Sequence, residues 1–185
     1  MTEQFSWQDS LKASLAASGA RDPEQSVRSA QLATVTVSGI PDVRTIIIRG
    51  IDGDDLTFNT DRRSAKARHI GETPWVAVSW YIPTTQTQYR LYGMAAEAPE
   101  LAERMWAGMR PVDRRNYLGP PPGKPLKDAE APVAEAEDQG AVPESFMPVK
   151  ITVEQADVLI VGDPHHRWSC ARRTDGSWRA VPVVP

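Results

Sequence analysis

The stretch from Val43 to Ile70, VRTIIIRGIDGDDLTFNTDRRSAKARHI, limits what this chain can fold into more than any other. Arg44 to Arg49 and Asp55 to Asn59 read as strands, and the Asp52-Gly53 pair between them predicts a β-hairpin. The chain then runs through Thr60 and Asp61 directly into a short helix beginning near Ser64. A strand that feeds a helix in this way carries the helix's unpaired N–H groups and the positive end of its dipole to the sheet. Thr60, Ser64 and Lys66 add hydroxyls and a cation, so the helix start is read as an anion site, with phosphate the natural occupant.

The flanking sequence extends the same pattern. Trp7, Leu11 and Leu15 have helical spacing and predict an amphipathic helix ending near Gly19. Arg21 to Ser29 is polar and could be helical. QLATVTVSG alternates as a strand, and the turn Ser38-Gly39-Ile40-Pro41 folds it against Arg44 to Arg49, which predicts a three-stranded meander through Asn59. Trp75 to Ile82 is nearly all apolar and reads as a central strand, in which Trp80 and Tyr81 are three times in four core packing. Gln86 to Ala98 is the next strand, and Leu101 to Met109 a second amphipathic helix. From about 119 to 145 the chain is rich in Pro and Glu, a composition that buries too little apolar surface to offset its ordering entropy. It is read as a surface insert with at most a short helix around Ala129 to Glu137. Val149 to Asp163 supplies one or two strands, and the segments around Trp168 and Trp178 a closing hairpin. The expected fold is one domain over residues 1–185, mainly β: six or seven antiparallel strands in a Greek-key β-barrel with flanking helices.

Composition excludes several functions. With 185 residues and a net charge of −3 the chain is of single-domain size and mildly acidic, so nucleic acid is not an expected partner. No apolar run approaches the roughly 20 residues of a membrane span, and the N-terminal residues lack a signal pattern; with the lone Cys170 unable to form an internal disulfide, a cytoplasmic protein is expected. One cysteine and three scattered histidines make no zinc site, and a Cys170 nucleophile beside His165 or His166 is given less than one chance in ten. What the strands do offer is a set of donors and cations: Arg44, Arg49, Thr60, Ser64, Lys66, Gln88, Arg90, Arg110 and Arg167. Any one alone is more often a solvated charge. Gln88 and Arg90 share a strand face, whereas Arg44 and Arg49, five apart, face opposite ways unless a bulge intervenes.

The order QLATVTVSGIPDVRTIIIRG, LTFNTDRRSAKARHI, WVAVSWYIPTTQTQYRLYGMAA and HHRWSCARRTDGSWRAVPVVP resembles the pyridoxamine 5'-phosphate oxidase family of FMN-binding split barrels, and more closely its related FMN-binding proteins. The resemblance spans nearly everything but the first helix and the Pro-rich insert. It implies FMN as cofactor, a homodimer with FMN at the subunit interface and a small-molecule substrate. Its R-x-x-x-x-K strand falls on Arg44 to Arg49, with Arg49 replacing the lysine. Its T-N-x-x-S-R-K motif falls on Thr60 to Lys66, where Ala65 replaces a phosphate-holding arginine, for which Arg62 or Arg63 could substitute. The implied cofactor residues are Arg44, Thr45, Ile46, Ile47, Ile48, Arg49, Asn59, Thr60, Ser64, Lys66, Gln88 and Arg167. The implied substrate residues are Arg49, Trp106, Arg110 and His165, with Gly93, Arg172 and Trp178 completing the match. The family's R-L-H-D-R run is here Asp163-Pro164-His165-His166-Arg167, and a carboxylate at Asp163 would repel a phosphorylated substrate. An FMN-dependent oxidoreductase of unassigned substrate is therefore the leading expectation. The alternatives are a pyridoxamine 5'-phosphate oxidase with an altered pocket, a non-catalytic flavin-binding or redox-sensing module, and a disfavoured haem-binding barrel.

Overall fold

A computed structural model describes residues 5–19, 26–125 and 140–185. The chain folds as α1 (Trp7–Gly19), β1 (Ser29–Val35), β2 (Pro41–Ile47), β3 (Gly50–Asp52), β4 (Asp55–Asp61), α2 (Ala65–Glu72), β5 (Trp75–Ile82), β6 (Thr87–Glu97), α3 (Ala102–Ala107), α4 (Pro111–Leu118), β7 (Phe146–Ile160), β8 (His166–Arg172) and β9 (Trp178–Val183). Nine strands, rather than six or seven, form one curled antiparallel sheet among the described residues, in the order β2-β1-β5-β6-β7-β4-β3, with β8 and β9 added beside β7. The helix expected around Ala129 to Glu137 lies outside the described residues.

Strand β7 is the spine. Of its 15 residues, those from Val149 to Ile160 pair along one edge with β6, while the other edge is shared, Phe146 to Thr152 by β4 and Gln155 to Ile160 by β8. Two partners on one edge force the sheet to diverge, and a bulge absorbs the bend: Tyr92 pairs with Gln155 but Gly93 with Val153. A Cβ at Gly93 would lie 2.1 Å from the Thr152 carbonyl oxygen, so only glycine fits the crossing.

The expected meander does not form. β2 pairs with β1, but β4 pairs with β7 and takes only the three-residue β3 as its hairpin partner across Gly53. The apolar run Arg44 to Arg49 leaves the sheet after Ile47. Ile48 N–H donates to Arg28 O and Arg49 N–H to Thr57 O, so the chain crosses from one end of the sheet to the other there. The inward face carries the core: Leu32, Ile46, Ile48, Leu56, Phe58, Val78, Trp80, Ile82, Leu91, Val149, Ile151 and Val153. Trp80 is fully buried, whereas Tyr81 on the other face is half exposed.

Helix α1 covers the barrel with Trp7, Leu11, Ser14 and Ser18. Its serines serve a purpose beyond packing. The buried Tyr89 hydroxyl lies 2.9 Å from Ser10 Oγ and 2.8 Å from Ser14 Oγ, which satisfies a phenol otherwise stranded in the core. The C-terminal hairpin is fastened by Asp54, whose Oδ1 accepts from Gln8 Nε2 at 2.7 Å and from Trp178 Nε1 at 2.8 Å. Trp168 stacks on Phe5 at 4.3 Å, and both tryptophans act as the packing anchors their composition implied.

Replacing Gly93 with alanine is expected to lower stability by about 3 kcal/mol, the upper range for overpacking, because the obstructing atoms are backbone. Urea unfolding of Gly93→Ala checks this; an unchanged midpoint would show that the β6–β7 crossing is looser than described.

Candidate functional site

Ser64 caps α2, its hydroxyl accepting from Ala67 N–H at 3.4 Å. The N–H groups of Ala65 and Lys66 make no hydrogen bond with the described residues, so the helix start presents free donors. Around it, Thr60 Oγ1 lies 3.2 Å from Ser64 Oγ and accepts from Lys66 Nζ at 3.2 Å. Thr60 and Ser64 are buried because β4 turns into the helix within four residues.

Arg44 arrives from β2. Its Nη1 donates to Leu32 O at 3.1 Å and to Thr34 Oγ1 at 2.8 Å, which uses both hydrogens of that nitrogen. Nη2 is buried without a hydrogen bond, although Asp42 Oδ2 lies 2.5 Å away as an ion pair. Burial pushes the Lys66 ammonium below its ordinary pKa, and the nearby Arg44 charge adds to the effect. Two cations, two hydroxyls and a free helix N-terminus converge here. The donor set fits a phosphate dianion.

Arg62 and Arg63 are committed elsewhere. Arg62 makes a bidentate pair with Glu97 at 2.6 and 2.5 Å, and Arg63 folds back on Asp61 at 3.0 and 2.7 Å. Ala65 is exposed and contributes only its backbone.

A second group forms outside the barrel. Arg49 Nε donates to Asn59 Oδ1 at 3.2 Å, and Asn59 Nδ2 to the Tyr117 hydroxyl at 2.5 Å. Tyr117 belongs to α4, packs against Trp106 and Phe146, and has its pKa raised by burial. Neither α4 nor Tyr117 was anticipated, though Pro111 at the first helical position is a start signal. Trp106 is buried in this aromatic cluster, Arg110 is exposed and paired with Asp113 at 2.8 Å, and Arg114 lies 5.1 Å over the Trp106 ring.

Gln88 and Arg167 lie elsewhere. Both pair across Leu159, on the face that carries Tyr81, opposite the face of Leu32 and Arg44. The Arg167 and Arg90 guanidiniums share Asp157, at 2.9 and 3.1 Å. His165 is exposed, its Nδ1 against Gly162 O in the turn after β7. The Thr45 and Ile47 side chains are exposed, and those of Ile46 and Ile48 buried. Burial pushes the Cys170 thiol up to about 11, so it is protonated at neutral pH and unsuited to nucleophilic chemistry.

Residues 4–98 match the model of the family described as "Pyridoxamine 5'-phosphate oxidase, FMN-binding domain". The chain belongs to this family. FMN is accordingly the cofactor of this pyridoxamine 5'-phosphate oxidase-type domain. Among its relatives is a pyridoxine/pyridoxamine 5'-phosphate oxidase 2 of Arabidopsis thaliana, 31% identical over 112 residues that cover 55% of this chain. The match spans only 57% of the plant protein's length. A pyridoxine/pyridoxamine 5'-phosphate oxidase of Anaeromyxobacter dehalogenans is 28% identical, covering 92% of this chain and 91% of the relative. A solved structure from Nostoc punctiforme, of a pyridoxamine 5'-phosphate oxidase-related, FMN-binding protein, superimposes with a TM-score of 0.89 at 28% identity and covers 100% of both chains. The curled sheet with its flanking helices is thus the split barrel of this family.

The Lys66 pKa gives a signed prediction. A lysine whose folded pKa is depressed opposes folding while it is protonated in both states. That opposition is full below the folded pKa and fades as pH rises through it towards the ordinary 10.5. Ligand-free Lys66→Met is therefore expected to resist urea better than wild type at pH 7, with the gap narrowing as pH rises through the folded pKa towards 10.5. A less stable variant at pH 7 would show that Lys66 is not held against its charge.

Proposed function

We propose that the protein is an FMN-dependent oxidoreductase acting on a small molecule other than pyridoxamine 5'-phosphate. The carrying observation is the convergence of Arg44, Lys66, Thr60, Ser64 and the start of α2 in one place. These groups would hold the phosphate of FMN. The strand Thr45 to Ile48 would line the rest of the cofactor, with Arg49 and Asn59 at its end. Bound FMN supplies hydride or single-electron transfer, chemistry that no side chain here provides.

Gln88 and Arg167 serve the same cofactor from a second copy of the chain. Their face of β2, β1, β5 and β6 exposes Val43, Trp75 and Met94 on one side and Ile47 and Tyr81 on the other of a polar row formed by Thr45, Gln31, Ser79 and Arg90. These are large apolar side chains of the kind that seek a partner. Burying this face in a homodimer would carry Gln88 and Arg167 of one protomer towards the phosphate site of the other. Within one protomer the two groups face opposite ways.

The substrate side supports a change of specificity. Arg110 is neutralised by Asp113, Trp106 is buried in an aromatic cluster, and Asp163 precedes His165 where the family's oxidases carry an arginine. Arg49 and His165 would face the substrate, with Arg49 its principal cation. A reading as a true pyridoxamine 5'-phosphate oxidase rests on the names of relatives such as the plant protein, 31% identical over 112 residues, and the Anaeromyxobacter dehalogenans protein, 28% identical over 182.

The purified protein is expected to be yellow, and to elute at about twice the 20.4 kDa chain mass. Arg44→Ala should weaken FMN binding by about 100-fold, the scale of one buried charge-assisted contact. A reductant screen should bleach the flavin, while pyridoxamine 5'-phosphate with oxygen should yield no pyridoxal phosphate. Failure to bind FMN would overturn the cofactor assignment, and rapid pyridoxal phosphate formation would overturn the specificity.

A further inference from the structure

Helix α2 buries a histidine that no step above uses. His69 is 4% exposed, and its Nδ1 lies 3.0 Å from Oγ1 of Thr34, a side chain with no exposure at all. The same oxygen takes the 2.8 Å bond from Arg44 Nη1. The three side chains come from α2, β1 and β2, so the contact ties the helix to the strand pair behind the phosphate site.

Proton counting fixes the direction of this chain. A guanidinium can only donate, so Thr34 Oγ1 accepts from Arg44. The hydroxyl's single hydrogen then needs an acceptor, because a buried, unpartnered O–H is costly. His69 Nδ1 is the acceptor within reach, which places the histidine proton on Nε2. The sequence of donations runs Arg44 to Thr34 to His69. With its hydrogen pinned, Thr34 keeps a lone pair on Arg44, and with Leu32 O it saturates Nη1. Nη2, on the other corner of the guanidinium, faces Asp42.

We infer that His69 is a positioning residue for the cofactor phosphate, orienting Arg44 through Thr34. This rests on the assignment of FMN to the Arg44–Lys66 site. It requires an acceptor at position 69 rather than a charge, so glutamine, whose Oε1 can accept, should substitute where leucine cannot. The effect is also expected on the phosphate, since among the described residues the hydrogen-bond chain from His69 ends on Arg44.

Riboflavin, which lacks the phosphate, separates this role from a merely structural one. Ligand-free wild type, His69→Leu, His69→Gln and Thr34→Val are titrated with FMN and with riboflavin, following quenching of flavin fluorescence. His69→Leu is expected to weaken FMN about tenfold and leave riboflavin unchanged, with His69→Gln within about threefold of wild type. Thr34→Val, which removes the hydroxyl that links Arg44 to His69, should reproduce His69→Leu, and His69→Ala carries the test if His69→Leu does not fold. Equal losses for both flavins, or no loss of FMN affinity in either Thr34→Val or His69→Leu, would overturn the role of His69. Wild type that binds neither flavin would instead overturn the FMN assignment on which it rests.

Discussion

Two cations held close together at the mouth of a barrel repel each other unless an anion lies against both, and that constraint organises this molecule. Arg44 is fixed by the carbonyl of its neighbouring strand and by Thr34, and Lys66 by the helix that Ser64 caps. Neither side chain can swing away without breaking contacts that the sheet and helix supply. Burial is the first cause of the depressed Lys66 pKa, and the neighbouring Arg44 charge adds to it. Asp42 and Asp61 relieve part of it, but Asp42 makes no hydrogen bond to the guanidinium nitrogen beside it.

The fold exists in the form needed to make this site because β7 serves two partners. By giving its first half to β4 and its second to β8, it sets β4 at the far end of the sheet path from β2 and lets the sheet curl until the two approach. Arg49 N–H to Thr57 O joins them at 2.7 Å. Helix α2 follows β4 immediately and packs on β1, which brings Lys66 within electrostatic reach of Arg44 on β2. The bulge at Gly93 is what allows β6 to follow β7 through the bend.

Local signals were legible in the sequence wherever one residue decided the outcome. Ser64 as a helix cap, the turn at Asp52-Gly53, and the uninterrupted β5 from Trp75 to Ile82 follow from capping, turn chemistry and hydrophobic pattern. Pairing was less legible: Arg44 to Asn59 has the pattern of a hairpin, yet β4 pairs over seven residues with β7 and not with β2. That preference depends on a strand about 90 residues later, which periodicity does not encode. Arg62 and Arg63 looked available to compensate for Ala65, but Glu97 and Asp61 claim them, and such partners emerge only once the sheet is assembled. His69 is the converse case. Its spacing from Lys66 puts both on neighbouring helix positions, but only the packed structure shows that it is buried against Thr34.

The account stands on where the cofactor phosphate sits. A crystal structure of the protein with FMN measures this directly. The account predicts the phosphate at the first turn of α2, within hydrogen-bond distance of Arg44 Nη2, Lys66 Nζ and the N–H groups of Ala65 and Lys66. FMN bound with its phosphate away from both Arg44 and Lys66 would contradict it.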